Sequence, residues 1–271
     1  MSTAVVHPLK AHPVPNPTWA LGLPLAPLTM RETLDAVNRL IARGEPSFLI
    51  TANLNYAMLT ERDPELQAVN RKAAFIVADG MPLVWASRGT DRRLPERVAG
   101  SDLLFELARA AAQRGHRVFL IGGRDGVADA AAARLKAHAP GLNVVGIEVP
   151  PFHKQTPEQE AAMIARIRNA KPDILIGAFS QPFGEKWLAA NVERLGVPAC
   201  VQLGASLDLA AGLVRRSPRW VARLGLEWGF RMAVEPRRLG RRYLRNLTFL
   251  ARYLLSHLST NRNHDRSAPH S

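Results

Sequence analysis

The sequence predicts an α/β fold, a mainly parallel sheet flanked by helices, followed by a basic helical appendage. Two observations predict the sheet. Short apolar runs alternate with helix-spaced segments through the middle of the chain, and the runs are continuously apolar, as strands covered by helices on both faces must be. The placement of charge predicts the appendage. The 271 residues carry 36 Lys and Arg against 23 Asp and Glu, a formal +13. From Gly212 to Ser271 there are 13 arginines, no lysine and three acids (Glu227, Glu235 and Asp265), so +10 of the excess lies there and +3 on everything before.

Residues 1–28 contain Pro8, Pro13, Pro15, Pro17, Pro24 and Pro27, too many for a helix or a central strand, and read as an extended leader. Order is expected from Thr29-Met30-Arg31-Glu32, a capping box in which Thr29 accepts from the helix amides and Glu32 reaches back to the cap. Leu34, Val37, Leu40 and Ile41 continue it at helical spacing, so the first helix is predicted over about 30–43.

Six apolar runs follow: Phe48 to Thr51, Ala74 to Val77, Arg117 to Ile121, Asn143 to Ile147, Asp173 to Gly177 and Ala199 to Leu203. Helical patterns separate them at 55–71, 102–114, 126–138, 157–169 and 185–195, which makes the sheet Rossmann-like. The core is bounded at 29–211 and the arginine-rich appendage at 212–258. In the appendage Ser217-Pro218 opens a helix and Glu235-Pro236 ends or bends it. Beyond, Leu239, Tyr243, Leu247, Leu250, Leu254 and Leu258 step by three or four and predict one apolar stripe. Arg238, Arg241, Arg242, Arg245 and Arg252 crowd the other faces, and 259–271 reads as a disordered tail.

Composition narrows the function. With 47% hydrophobic residues the chain builds a sizeable core, so disorder is not the whole answer. The single cysteine, Cys200, lies in an apolar strand, precludes an intrachain disulfide and fits a reducing cytoplasm. The eight histidines show no metal-ligand spacing, and neither a metal nor a cofactor is expected. No apolar run reaches the ~18 residues of a spanning helix, and no signal peptide is evident at the N-terminus. The charge, set beside an apolar stripe, favours an anionic membrane surface over nucleic acid, with residues 237–258 as the contact.

Residues just after each strand are the candidates for chemistry in such a sheet. They are Thr51 and Asn53; Asp79-Gly80; the loop Gly122-Gly123-Arg124-Asp125-Gly126; and Gln181 with Glu185. Each has a plain structural alternative. Thr51 and Asn53 suit a helix cap, Asp79-Gly80 is a common turn dipeptide, and the Gly122 loop falls short of a full dinucleotide signature. Glu227, Arg231 and Glu235 at four-residue spacing suit helix ion pairs. Two other classes remain open from the residues alone: a nucleotide-dependent oxidoreductase using the Gly122 loop with Glu148 at the ribose, and a non-catalytic basic membrane-binding module.

The motifs together resemble those of the WecG/TagA/CpsF glycosyltransferases, glycosyltransferase family 26, over about residues 30–255. The resemblance rests on Thr51-x-Asn53, Ala78-Asp79-Gly80-Met81-Pro82, Arg97-Val98-x-Gly100-x-Asp102-Leu103 and Val118 to Gly123. It continues through Pro172 to Leu175, Pro182-x-x-Glu185-x-Trp187, Ala211-Gly212, Arg216-x-Pro218-x-Trp220 and Gly225-Leu226-Glu227-Trp228-x-x-Arg231, ending at Glu235-Pro236-x-Arg238. It implies an inverting transfer of a hexose or N-acetylhexosamine from a UDP-sugar to a polyprenyl-diphosphate-linked saccharide, at the inner face of the cytoplasmic membrane, in exopolysaccharide or cell-surface polysaccharide synthesis. Asp79 maps onto the proposed base and Thr51 onto the threonine of the Thr-x-Asn motif, which makes these two the catalytic nominees, and Arg97 is the motif arginine. Asn53, Gly122, Gly123, Gln181, Glu185, Arg231 and Arg238 are the substrate-binding nominees. The family's usual Pro-Lys-Gln-Glu reads Pro182-Phe183-Gly184-Glu185 here, so the glutamine is replaced by Gly184, and Gln181 is the nominee to supply its contact.

Overall fold

A computed structural model of the chain describes residues 14–151, 154–214, 218, 221, 229–230, 232, 240–241, 244–253 and 255. Arg231, Arg238, both predicted ends of the first appendage helix, Leu239, Tyr243, Leu254 and Leu258 of the stripe, and the tail 259–271 all lie outside the described residues, apart from Pro218.

Ordered structure begins earlier than the capping box. Within the stretch read as a leader, β1 (Thr18–Ala20) and β2 (Leu23–Leu25) form an antiparallel hairpin. Its two turn residues, Leu21 and Gly22, both have positive φ (50° and 75°), the backbone that a two-residue hairpin turn needs. Leu23 and Leu25 are fully buried, and Ala26 N–H donates to Ile76 O at 2.7 Å, covering what would be an open sheet edge. Pro24 is tolerated because this ribbon has no strand beyond it.

The remaining elements follow the predicted order. They are α1 (Met30–Arg43), β3 (Phe48–Ala52), α2 (Leu54–Arg62), α3 (Pro64–Lys72), β4 (Phe75–Ala78), α4 (Met81–Ala86), α5 (Gly100–Arg114) and β5 (Arg117–Gly122). Then come α6 (Val127–His138), β6 (Asn143–Glu148), α7 (Pro157–Asn169), β7 (Ile174–Ala178), α8 (Phe183–Leu195), β8 (Ala199–Gln202) and α9 (Ser206–Ala210). The Thr29–Glu32 capping box is formed in full. The single helix expected over 55–71 is two, because Asp63 caps a new start, accepting from Glu65 and Leu66 N–H, and Pro64 occupies its first position.

The six long strands form one parallel sheet in the order β4-β3-β8-β7-β5-β6. Successive strand residues feed two separate cores. Leu49, Val77, Leu120, Ile176 and Val201 pack under α1, α5, α6 and α9, while Ile50, Ile76, Ile121, Leu175 and Cys200 pack against the hairpin, α2, α3, α7 and α8. The Cys200 thiol is fully buried and burial pushes its pKa up, so it is a core residue.

Residues 244–253 of the appendage are helical and dock on the second core. Phe249 is buried there, Leu250 and Tyr253 pack against the same cluster, and Arg252 donates to Glu61 of α2. This corrects the single predicted stripe, since Leu247 lies on a different face from Phe249. Leu244, Leu247 and Leu255 are 65%, 47% and 68% exposed, so the helix carries one docked apolar face and one open to solvent. Among the described residues no helix is long and apolar enough to cross a membrane.

Candidate active site

Thr51 and Asp79 meet because β3 and β4 are parallel neighbours. Thr51 pairs with Val77 and Ala52 with Ala78, and Asp79 N–H donates to Ala52 O at 2.7 Å, so both strands end side by side. The Arg97–Gly100 segment returns along β4, with Val98 N–H donating to Ala78 O at 2.9 Å, and delivers the N-terminus of α5 to the same point. A Cβ added to Gly100 would stand 3.3 Å from Asp79 Oδ2 and 3.3 Å from Thr51 Oγ1. The carboxylate and the hydroxyl therefore face one small space, kept open by a glycine, at the positive end of a 15-residue helix.

Thr51 is buried, and its hydroxyl donates to the main-chain carbonyl of Gln202 at 3.0 Å. That bond holds the hydroxyl in one rotamer. Asp79 is partly buried at the mouth of the same space. Arg97 is mostly buried and lies 3.9 Å from Asp102 on the first turn of α5, a loose ion pair. Asn53 instead takes the plain reading: it caps α2, its Oδ1 accepting from Tyr56 N–H at 3.1 Å.

A second polar group lies between α2 and α8. Glu185 is fully buried, and neither carboxylate oxygen has a hydrogen-bond partner of ordinary geometry. Burial raises its pKa to about 7, and the Gln181 side chain next to it offsets part of the cost. Gln181 also accepts from Asn55 Nδ2 at 3.4 Å. The neighbouring Tyr56 phenol is pushed up, first by burial and then by the Glu185 charge, and donates to Asn70 Oδ1 at 2.6 Å. A protonated Glu185 supplies an O–H, and an ionised one demands a donor that only a ligand or a local rearrangement would bring.

Gly122 and Gly123 stand apart from Asp79. Four strand spacings separate β5 from β4 in the sheet, about 19 Å. Gly123 N–H already donates to Ala178 O at 3.2 Å, and Gly122 lacks a side chain because a Cβ would lie 2.6 Å from that same carbonyl and 2.9 Å from the Phe179 ring. The loop's glycines thus have a packing reason, and Glu148 is held by Arg166 at 2.6 Å. Neither observation favours the dinucleotide alternative.

Sequence reasoning passed over Gly100, Asn55 and Gln202. Gly100 stood inside a quoted motif, where a glycine opening a helix marks a close approach. Gln202 was the one polar residue in Ala199-Cys200-Val201-Gln202-Leu203, a signal of a required hydrogen bond. Asn55 carried no signal.

Two comparisons with known proteins bear on this site. The chain is 29% identical over 187 residues, 69% of its length and 71% of the relative's, to the N-acetylglucosaminyldiphosphoundecaprenol N-acetyl-beta-D-mannosaminyltransferase of Bacillus subtilis (strain 168). The model of the WecG/TagA/CpsF glycosyl transferase family matches residues 18–263, a span that takes in the β1–β2 hairpin as well as the sites around Asp79 and Glu185. The chain therefore belongs to the WecG/TagA/CpsF family and is a glycosyltransferase.

Proposed function

We propose that this glycosyltransferase moves a hexose or N-acetylhexosamine from a UDP-sugar to a polyprenyl-diphosphate-linked saccharide, with inversion, in the synthesis of an exopolysaccharide or other cell-surface polysaccharide. The observation that carries the reading is the shared approach of the Asp79 carboxylate and Thr51 hydroxyl to the space beside Gly100. The Bacillus subtilis relative, whose name gives an N-acetylglucosaminyl-diphosphoundecaprenol acceptor, supports the lipid-linked substrate.

In this reading Asp79 takes the proton of the acceptor hydroxyl as that oxygen bonds to the anomeric carbon. The bond from the anomeric carbon to the diphosphate breaks on the opposite face, and UDP departs with the electron pair. The departing charge requires cations or amides, for which Arg97, Arg231 and Arg238 are the nominees. Glu185, Gln181 and Asn53 remain the nominees on the donor side. The test is release of UDP from purified protein given UDP-N-acetylmannosamine, UDP-glucose, UDP-galactose or UDP-N-acetylmannosaminuronate with a polyprenyl-diphosphate-sugar acceptor. Failure to turn over any of them would sink the reading.

Gly100→Ala is expected to lower turnover at least about tenfold, because the methyl enters the space between Asp79 and Thr51. Alanine is the better helix former, which offsets part of the cost of the 3.3 Å contacts, so the thermal midpoint is expected to fall by only a few degrees while turnover drops. Unchanged turnover would show that the substrate does not use this space.

The membrane surface is proposed to be met at the inner face of the cytoplasmic membrane by residues 237–258. The exposed Leu244 and Leu247, with the arginines around them, support this. Removing the appendage is a poor test, since it would also strip Phe249 from the core. Leu244→Ser/Leu247→Ser changes only exposed groups. It is expected to keep the fold and weaken sedimentation with phosphatidylglycerol vesicles by roughly tenfold or more. Equal sedimentation would refute the contact.

A further inference from the structure

Position 184 has no room for a side chain, because Gln202 already fills it. A Cβ added to Gly184 would overlap the Gln202 amide nitrogen, lie 2.6 Å from Gln202 Cδ and 2.7 Å from Phe179 Cβ. Gln202 is the last residue of β8, paired with Ile50 of β3 on one side and Gly177 of β7 on the other. It is 1% exposed and therefore touches no substrate as it stands.

Three of its polar groups bear on the loop and on Thr51. Side-chain Nε2 donates to Phe179 O at 2.9 Å, Oε1 accepts from Phe179 N–H at 3.4 Å, and the main-chain carbonyl accepts from the Thr51 hydroxyl at 3.0 Å. The amide thus completes, from the strand beside it, the backbone pairing of the residue that begins the loop to Gln181. Three glycines make the clearance. Besides Gly184, a Cβ on Gly177 would meet the Phe179 ring at 2.9 Å and Gln202 Oε1 at 3.3 Å, and a Cβ on Gly122 would meet the ring at 2.9 Å.

We propose that Gln202 is a positioning residue that joins the Thr51 hydroxyl to the Phe179–Gln181 loop, and that Gly184 is its matched partner, left without a side chain so that the Gln202 amide can enter. The geometric half stands on these contacts alone. The catalytic half rests on the glycosyl-transfer reading above.

The test is a cycle of Gly184→Ala, Gln202→Ala and the double variant, read by thermal melting. Gly184→Ala is expected to lower the midpoint strongly in the presence of Gln202 and much less in the Gln202→Ala background, where the overlap with the amide is gone and only the close approach to Phe179 Cβ remains. Should Gly184→Ala fail to fold alone, recovery in the double variant supports the pairing. Equal effects in both backgrounds, or failure of both to fold, would overturn it.

Positioning is read separately by deuterium exchange of the peptides covering 48–53 and 176–184. Gln202→Ala is expected to speed exchange in both, and exchange unchanged in either would overturn the link. In the enzyme assay, well below the melting range, Gln202→Ala is expected to lose about tenfold in kcat/KM, with Gln202→Glu intermediate because it keeps only the bond from Phe179 N–H. Wild-type kcat/KM in Gln202→Ala would overturn the catalytic half. Were the wild type to turn over no UDP-sugar, the glycosyl-transfer reading would fall, while the melting and exchange results would still decide the geometric half.

Discussion

Asp79→Asn lowers turnover of the UDP-sugar and lipid-linked acceptor by about 10³-fold and leaves the thermal midpoint nearly unchanged. The size follows from what a positioned general base contributes, about 10²- to 10⁴-fold. The amide keeps the shape of the carboxylate but cannot take the acceptor proton. The stability expectation follows from location, since Asp79 sits partly buried on a turn past the end of β4 and outside both apolar clusters. Because the proton moves only as the acceptor attacks, kcat and kcat/KM should fall together, with the donor KM little affected. Steady-state UDP release with each substrate varied in turn checks this, and near-wild-type kcat would remove Asp79 as the base.

Glu185→Gln has the opposite pattern, a gain in stability that depends on pH. Below about pH 4.5 the carboxyl is protonated in both the folded and the unfolded chain. As pH rises the unfolded chain ionises first, while burial holds the proton in the folded chain up to about 7. Stability contributed by this group is therefore full at low pH, declines between those two values and stays lost above them. The loss is on the order of 3 kcal/mol at pH 8. The neutral amide avoids it, so Glu185→Gln is expected to melt well above the wild type at pH 8 and close to it at pH 5. A gap that does not shrink at low pH would contradict the buried-acid assignment. Paired with the melt, the donor KM decides the role: a loss of tenfold or more in the more stable variant marks a substrate contact, and an unchanged KM removes Glu185 from the donor site.

Much of the fold was legible because period and continuity are strong signals. The continuously apolar runs at Phe48, Ala74, Arg117, Asn143, Asp173 and Ala199 are the six strands of the parallel sheet, within a residue or two at each end. The misses have physical reasons. Six prolines hid the β1–β2 hairpin, whose signal was the turn at Leu21-Gly22 and whose proline falls on a ribbon edge. Asp63-Pro64 was a cap followed by a first-turn proline inside what otherwise read as one helix. Leucine spacing alone assigned one stripe to a helix that has two apolar faces, because spacing cannot say that Phe249 and Tyr253 go inward while Leu247 stays out.

The candidate site was legible in types and not in distances. Thr51 and Asp79 were named from strand ends and converge beside Gly100, whereas Gly122 and Gly123, named by the same rule, follow a strand four places along the sheet from β4. A residue's place in the chain says that it follows a strand, but strand order decides which loops are neighbours. Gln202 shows the complementary case, in which the informative feature was a polar side chain where the pattern demanded an apolar one.

The division of each strand between two cores bears on how the protein comes apart. Leu49 and Ile50 are adjacent in the chain yet belong to clusters on opposite faces, as do Ile121 and Leu120. Stripping the helices from either face would leave that whole side of the sheet in water with the other still packed, so neither helical layer is an independent unit. Melting should then be a single cooperative event from Thr18 through Ala210, in which the site around Asp79 has no partly folded state to retreat to.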